Sequence, residues 1–121
     1  MIEAVCHCGA VRVAVPAQPE QVTDCNCSIC RRLGTLWAYY SPAQVKVTDL
    51  DATAAYVRRD QPEQGHIAFH HCRTCGCTTH WSSLDPTRDR MGVNARLMAL
   101  EVLGQARIRH LDGADTWEYL D

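Results

Sequence analysis

A chain of 121 residues has the length of one domain with a single modest core, and its 46% hydrophobic content excludes a disordered polypeptide. Formal net charge is only -2, Lys46 is the sole lysine and no basic run occurs, which argues against nucleic acid as a partner. No stretch has the apolar length needed to cross a bilayer.

The N-terminal Met1-Ile2-Glu3-Ala4-Val5 carries neither the basic nor the apolar region of a secretion signal, which predicts a cytoplasmic protein. It runs directly into Cys6-His7-Cys8-Gly9. Val11, Val13 and Val15 then alternate with Arg12 and Ala14, the period of a half-buried strand. Pro16-Ala17-Gln18-Pro19 reads as a loop. Asp24 precedes a second cysteine group, Cys25-Asn26-Cys27-Ser28-Ile29-Cys30, and Ser28 to Leu33 predicts one or two helical turns stopped at Gly34.

Trp37-Ala38-Tyr39-Tyr40 is aromatic-rich and reads as a strand. Ser41-Pro42 has the form of an N-cap followed by proline at the first helical position. Ala54-Ala55-Tyr56-Val57 and Ile67-Ala68-Phe69 are further short strands, separated by a loop at Gln61-Pro62-Glu63-Gln64-Gly65. A third cysteine group, Cys72-Arg73-Thr74-Cys75-Gly76, is followed at once by Cys77. Arg96 to Leu103 predicts a second short helix, ended by Gly104. Short strands with turn residues between them predict a mainly-β fold, one domain over residues 1–121, with one or two short helices.

Eight cysteines in a reducing compartment read as metal ligands rather than disulfides. Thiolate is a soft ligand suited to zinc, and four of them satisfy its tetrahedral preference. Cys-x-Cys places two side chains on one face of an extended segment, and Cys-x-x-Cys-Gly aims two sulfurs at one point. The natural assembly is therefore Cys6 and Cys8 with Cys72 and Cys75. It closes a loop of about 65 residues at roughly 4 kcal/mol beyond a constant. A structural zinc contributes ~10–16 kcal/mol in small peptides and offsets that cost.

Cys25, Cys27 and Cys30 offer three sulfurs within six residues. Three protein ligands leave a fourth zinc position open, the arrangement of a catalytic site. Three thiolates give such a unit a net charge of about -1, so it is a weak Lewis acid, poorly suited to making hydroxide. It is better suited to holding a fourth thiol as thiolate. Eight cysteines also divide into two closed four-cysteine sites if Cys77 completes the second. Such a chain would be a non-catalytic, zinc-stabilised binding module.

Cys6-His7-Cys8-Gly9-Ala10-Val11, Cys25-Asn26-Cys27-Ser28-Ile29-Cys30-Arg31, Phe69 through Cys72-Arg73-Thr74-Cys75-Gly76, and Gly92-Val93-Asn94-Ala95-Arg96-Leu97 occur here in the order of a known family. In these elements the chain resembles the glutathione-dependent formaldehyde-activating enzymes, also called the centromere protein V-like family. The resemblance runs from about Val5 to Gly113. It implies a mainly-β tent fold with zinc-ribbon-like knuckles and two zinc ions. One would be structural, on Cys6, Cys8, Cys72 and Cys75. The other would be catalytic, on Cys25, Cys27 and Cys30, and would hold the glutathione sulfur. The implied activity is that of a carbon–sulfur lyase joining formaldehyde, or a related small aldehyde, reversibly to glutathione as S-hydroxymethylglutathione. Cys77 stands outside this seven-cysteine scheme.

Other residues have two readings each. His70, His71 and His80 flank the third cysteine group and read as strand or surface residues rather than ligands. Trp37, Tyr39, Tyr40 and Trp81 read as core packing or as a pocket wall. Arg31 and Arg32 read as a solvated pair or as partners for a substrate carboxylate. Asp24 is a candidate for orienting the central ligands.

Overall fold

The computed structural model describes residues 2–58, 60 and 66–121, so the loop predicted at 61–65 lies outside the described residues. The chain is mainly β, as expected. In order, the strands are β1 (Ile2–Val5), β2 (Arg12–Val15), β3 (Gln21–Cys25), β4 (Trp37–Tyr40), β5 (Lys46–Thr48), β6 (Thr53–Val57), β7 (Ile67–Cys72), β8 (Thr78–Ser83), β9 (Met91–Asn94) and β10 (Arg107–Leu111). Two single-turn helices, α1 (Cys30–Leu33) and α2 (Leu100–Leu103), interrupt them.

Two sheets form. The smaller is antiparallel in the order β1-β2-β5. The larger has the order β10-β3-β4-β9-β8-β7-β6 and is antiparallel except where β10 lies parallel to β3. Side chains alternate across each strand, so the large sheet has two distinct faces. Val22, Ala38 and Val93 point to one face and pack with Ala4, Val13 and Val15 of the small sheet in a shared, fully buried core. Cys25, Trp37, Phe69 and Trp81 point to the other face and form a second cluster. Burial of the first face drives folding; the second face carries the sulfurs and the aromatic rings.

The helical predictions were only half met. Leu33 ends α1, and Gly34 follows at φ 69° as expected. Pro42 does open a turn, but it is a 3-10 turn of three residues, Pro42–Gln44. Ser41 does not cap it, because its hydroxyl is spent on the Asp89 carboxylate. The segment 96–103 splits into a 3-10 turn, Ala95–Leu97, and α2. Met98 is buried in extended conformation between them, so packing of that side chain overrides a continuous helix.

Candidate metal centres

The first centre joins two turns 64 positions apart in the chain. Cys6 and Cys8 lie in the turn after β1; Cys72 ends β7, and Cys75 lies in the turn toward β8. Gly9 (φ 83°) and Gly76 (φ 81°) take left-handed conformations directly after each pair, which lets the backbone reverse while both sulfurs stay on one side. The Val11 amide donates to Cys6 Sγ at 3.2 Å and the Thr74 amide to Cys72 Sγ at 3.4 Å. Sulfur separations are 3.7 Å for Cys6–Cys8 and 3.6 Å for Cys8–Cys72, and all four sulfurs lie within 4.8 Å of one another. A tetrahedral ion with bonds of ~2.3 Å holds its sulfurs about 3.8 Å apart, so the donor set fits zinc in both number and spacing.

Electrostatics agrees. Backbone amides of Cys77 and Cys8 hold the Cys75 thiol down to about 5, and those of Cys75 and Thr74 lower Cys72. The Ala10 amide favours the Cys8 thiolate, but burial and the thiols of Cys72, Cys6 and Cys75 push it up to about 11. Crowded sulfurs oppose one another's ionisation, and a bound dication relieves that opposition. Cys77 packs against this same centre, beside Cys75, and its carbonyl accepts from the Cys72 amide at 2.9 Å. It takes no part in the second group, so the arrangement of two closed four-cysteine sites is not formed.

The second centre comes from one local segment. Cys25 ends β3, Cys27 follows in the turn, and Cys30 opens α1; their sulfurs lie within 4.8 Å of one another and all three residues are buried. The Trp37 indole donates to Cys30 Sγ at 3.3 Å, and the Cys30 amide reaches Cys27 Sγ at 3.4 Å. Hydrogen bonds from the Cys25 and Cys30 thiols lower Cys27; the contact with Cys27 raises Cys25, and contacts with Cys25 and then Cys27 raise Cys30. Cys27 is thus the first of the three to ionise. Its charge is met by Arg58, buried to 6% exposure, whose Nη1 stands 3.9 Å from Cys27 Sγ. Asp60 and the Ser28 hydroxyl clamp that guanidinium, each at 3.0 Å. Arg58 then Ser28 hold the Asp60 carboxyl well below its ordinary range.

These sulfurs lie at a pocket of about 230 Å³. Its wall is a cross-strand row. Tyr39 pairs with Gly92, Gly92 with Trp81, and Trp81 with Phe69, across β4, β9, β8 and β7. A methyl group on Gly92 would stand 2.1 Å from Trp81 Nε1, so only glycine lets the indole lie across β9. Ring centroids of Tyr39 and Trp81 are 6.1 Å apart, as are those of Trp37 and Phe69. Burial pushes the Tyr39 phenol up to about 12, so it is neutral at physiological pH.

Trp117 (φ 60°) completes the wall from a loop after β10. Asn26, between two of the cysteines, anchors that loop by donating to Asp112 at 3.1 Å and accepting from the Ala114 amide at 2.9 Å. Gly113 crosses so close that a Cβ there would stand 2.6 Å from Cys25 Sγ.

All seven cysteines named from spacing fall into the two expected groups. Trp37, Tyr39 and Trp81 line the pocket, whereas the Tyr40 hydroxyl turns away to the Ala17 carbonyl at 2.8 Å. Arg31 and Arg32 do not line it; Arg32 folds back on the Ser28 carbonyl at 2.7 Å. The pocket's guanidiniums are those of Arg58, Arg88 and Arg90, which sequence reading missed. Asp24 faces His110 at 4.0 Å in a separate cavity of about 390 Å³. His70 and His80 stack at 4.2 Å on β7 and β8, and burial depresses both, His80 to about 3; they are neutral strand residues.

A family model described as glutathione-dependent formaldehyde-activating enzyme matches residues 1–109. No curated protein matches the chain. Among solved structures, the crystal structure of a Rhodobacter sphaeroides protein is similar, at 26% identity and a TM-score of 0.69. That match covers 88% of this chain and 98% of the other.

Proposed function

We propose, from the premise that this chain belongs to the glutathione-dependent formaldehyde-activating enzyme family, that it is a zinc-dependent carbon–sulfur lyase. It joins formaldehyde, or a related small aldehyde, reversibly to the sulfur of glutathione or another thiol. In the forward direction the thiol sulfur forms a bond to the carbonyl carbon, the C=O π pair moves to oxygen, and the thiol proton ends on that oxygen. No oxidant or reductant is needed. The observation that carries the reading is the contrast between the two centres: four sulfurs in one, and three beside an aromatic pocket in the other.

Cys6, Cys8, Cys72 and Cys75 would hold a structural zinc. Cys25, Cys27 and Cys30 would hold the second, which when bound supplies a site where a thiol is kept deprotonated near neutral pH. Arg58 offsets the charge of the sulfur group and Trp37 fixes Cys30 through its indole N–H. The rings of Tyr39, Phe69 and Trp81 exclude water from the approach of the aldehyde. Residues 1–121 act as one domain around both centres. Eight free cysteines suit a reducing compartment, which supports a cytoplasmic location.

Exchange spectroscopy with carbon-13 formaldehyde and glutathione tests this. The protein should speed formation of S-hydroxymethylglutathione well beyond the spontaneous rate. Cys27→Ser should remove the acceleration while elemental analysis still finds one zinc per chain. No acceleration by a parent protein that holds two zinc ions would overturn the reading.

A further inference from the structure

We infer that Arg88 and Arg90 form an anion-binding rim that makes the pocket selective for thiols carrying a carboxylate on an apolar body. The inference rests on the proposal that the central sulfur group takes up a thiol.

The charge of the lining is one-sided. Three arginines face the pocket, and among its described lining residues there is no aspartate or glutamate to meet an ammonium group. Arg58 is committed to Asp60, Ser28 and Cys27. Arg88 and Arg90 are different. Each holds its guanidinium carbon over an aromatic ring, Arg88 at 5.3 Å from the Trp81 centroid and Arg90 at 3.9 Å from the Tyr39 centroid. A cation–π contact is made to the ring's charge distribution and not to an acceptor atom, so the guanidinium N–H groups remain available to grip a carboxylate in a fork. Among the described residues neither side chain forms an ion pair.

Their placement follows from the sheet. Trp81 and Tyr39 flank Gly92 on the two neighbouring strands, and both arginines come from the segment that enters β9 just before it. Asp89, between them, turns away to the Ser41 hydroxyl and does not neutralise the rim. The rest of the wall is apolar, and about 230 Å³ lies under the ~300 Å³ at which small-molecule pockets usually begin. A compact thiol therefore fits with its sulfur at the cysteines, its body against the rings and its carboxylate at the rim. Trp117 adds its wall from beyond the matched residues 1–109, so this part of the lining lies outside what the family model describes.

Cobalt-loaded protein tests the idea with two matched probes, 4-(sulfanylmethyl)benzoate and its neutral benzamide. Sulfur-to-cobalt charge transfer reports uptake of the thiol. The benzoate should bind at least tenfold more tightly than the benzamide, and that gap should shrink to within twofold in R88Q/R90Q. Glutathione, whose carboxylates meet the same guanidiniums, should weaken in the double variant as well. Equal binding of the two probes to the parent, or a gap that survives in R88Q/R90Q, would overturn the inference. Tryptophan fluorescence with the sulfur-free analogues 4-ethylbenzoate and 4-ethylbenzamide separates the two claims. A silent cobalt band with a preserved, arginine-dependent preference for the acid rejects thiol uptake but supports the rim. No such preference in fluorescence rejects the rim.

Discussion

Arg58 shows how much one side chain decides in a site otherwise made of sulfur. A buried guanidinium without a partner is costly, and so is a buried cluster of thiolates without a cation; here each answers the other. Arg58→Gln keeps much of the side-chain bulk and removes the charge. The central ion should then be lost to a chelator at several-fold lower concentration than in the parent, while the ion at Cys6, Cys8, Cys72 and Cys75 is retained. Competition with a chromophoric chelator would measure this, and equal release of both ions by parent and variant would contradict it. The ligands themselves were legible in the sequence, because Cys-x-Cys and Cys-x-x-Cys spacings fix local geometry before any tertiary contact forms. Arg58, Arg88 and Arg90 were not. Their approach to the sulfurs depends on which strands are neighbours, and the adjacent Arg31 and Arg32 were a misleading local substitute.

Among the elements, β2 and β4 were legible from valine alternation and aromatic content, and α1 from its terminating glycine. Strand β9 offers Met91-Gly92-Val93-Asn94, with a glycine where the indole of Trp81 must lie, so its pattern serves packing rather than propensity. Strand β10 was hidden for another reason. It reads Arg107-Ile108-Arg109-His110-Leu111, largely exposed at the sheet edge, and is held by parallel pairing to β3.

A clasp at this edge makes a pH prediction. His110 Nδ1 lies 2.7 Å from the Asp121 carboxylate, which raises the imidazole above its ordinary value of ~6.5, and His110 in turn lowers Asp121. A raised histidine binds its proton more tightly in the folded state. The clasp therefore contributes fully between the ordinary carboxylate value of ~3.9 and pH ~6.5; it is lost as pH rises through the raised histidine value and as pH falls through the lowered Asp121 value. Proton NMR should find His110 titrating above the ordinary range in the parent and returning toward it in Asp121→Asn. An unchanged titration in the variant would show that the pair is not formed in solution.

On the scale of the whole molecule, the proposed function divides the labour between the two centres. With ions bound, the first would close a loop of 64 positions and the second only a few residues, so the loop terms are roughly 4 and roughly 1.5 kcal/mol. Cys72 is also fully buried in the shared core between the sheets. Cys72→Ser should leave no cooperative thermal transition, whereas Cys27→Ser should lower Tm by under about 10 °C. Similar losses in both variants would contradict this division. The scheme of two centres was visible in the cysteine spacings alone, while the pocket above the second required the order of the strands. The proposed reaction requires the Cys25, Cys27 and Cys30 centre to take a thiol sulfur as its fourth ligand. Zinc-edge X-ray absorption on the two-zinc protein counts the sulfurs around the ions. Four and three protein sulfurs average to about three and a half per ion. Saturating glutathione should raise that average to four, and an average that stays unchanged would contradict the account.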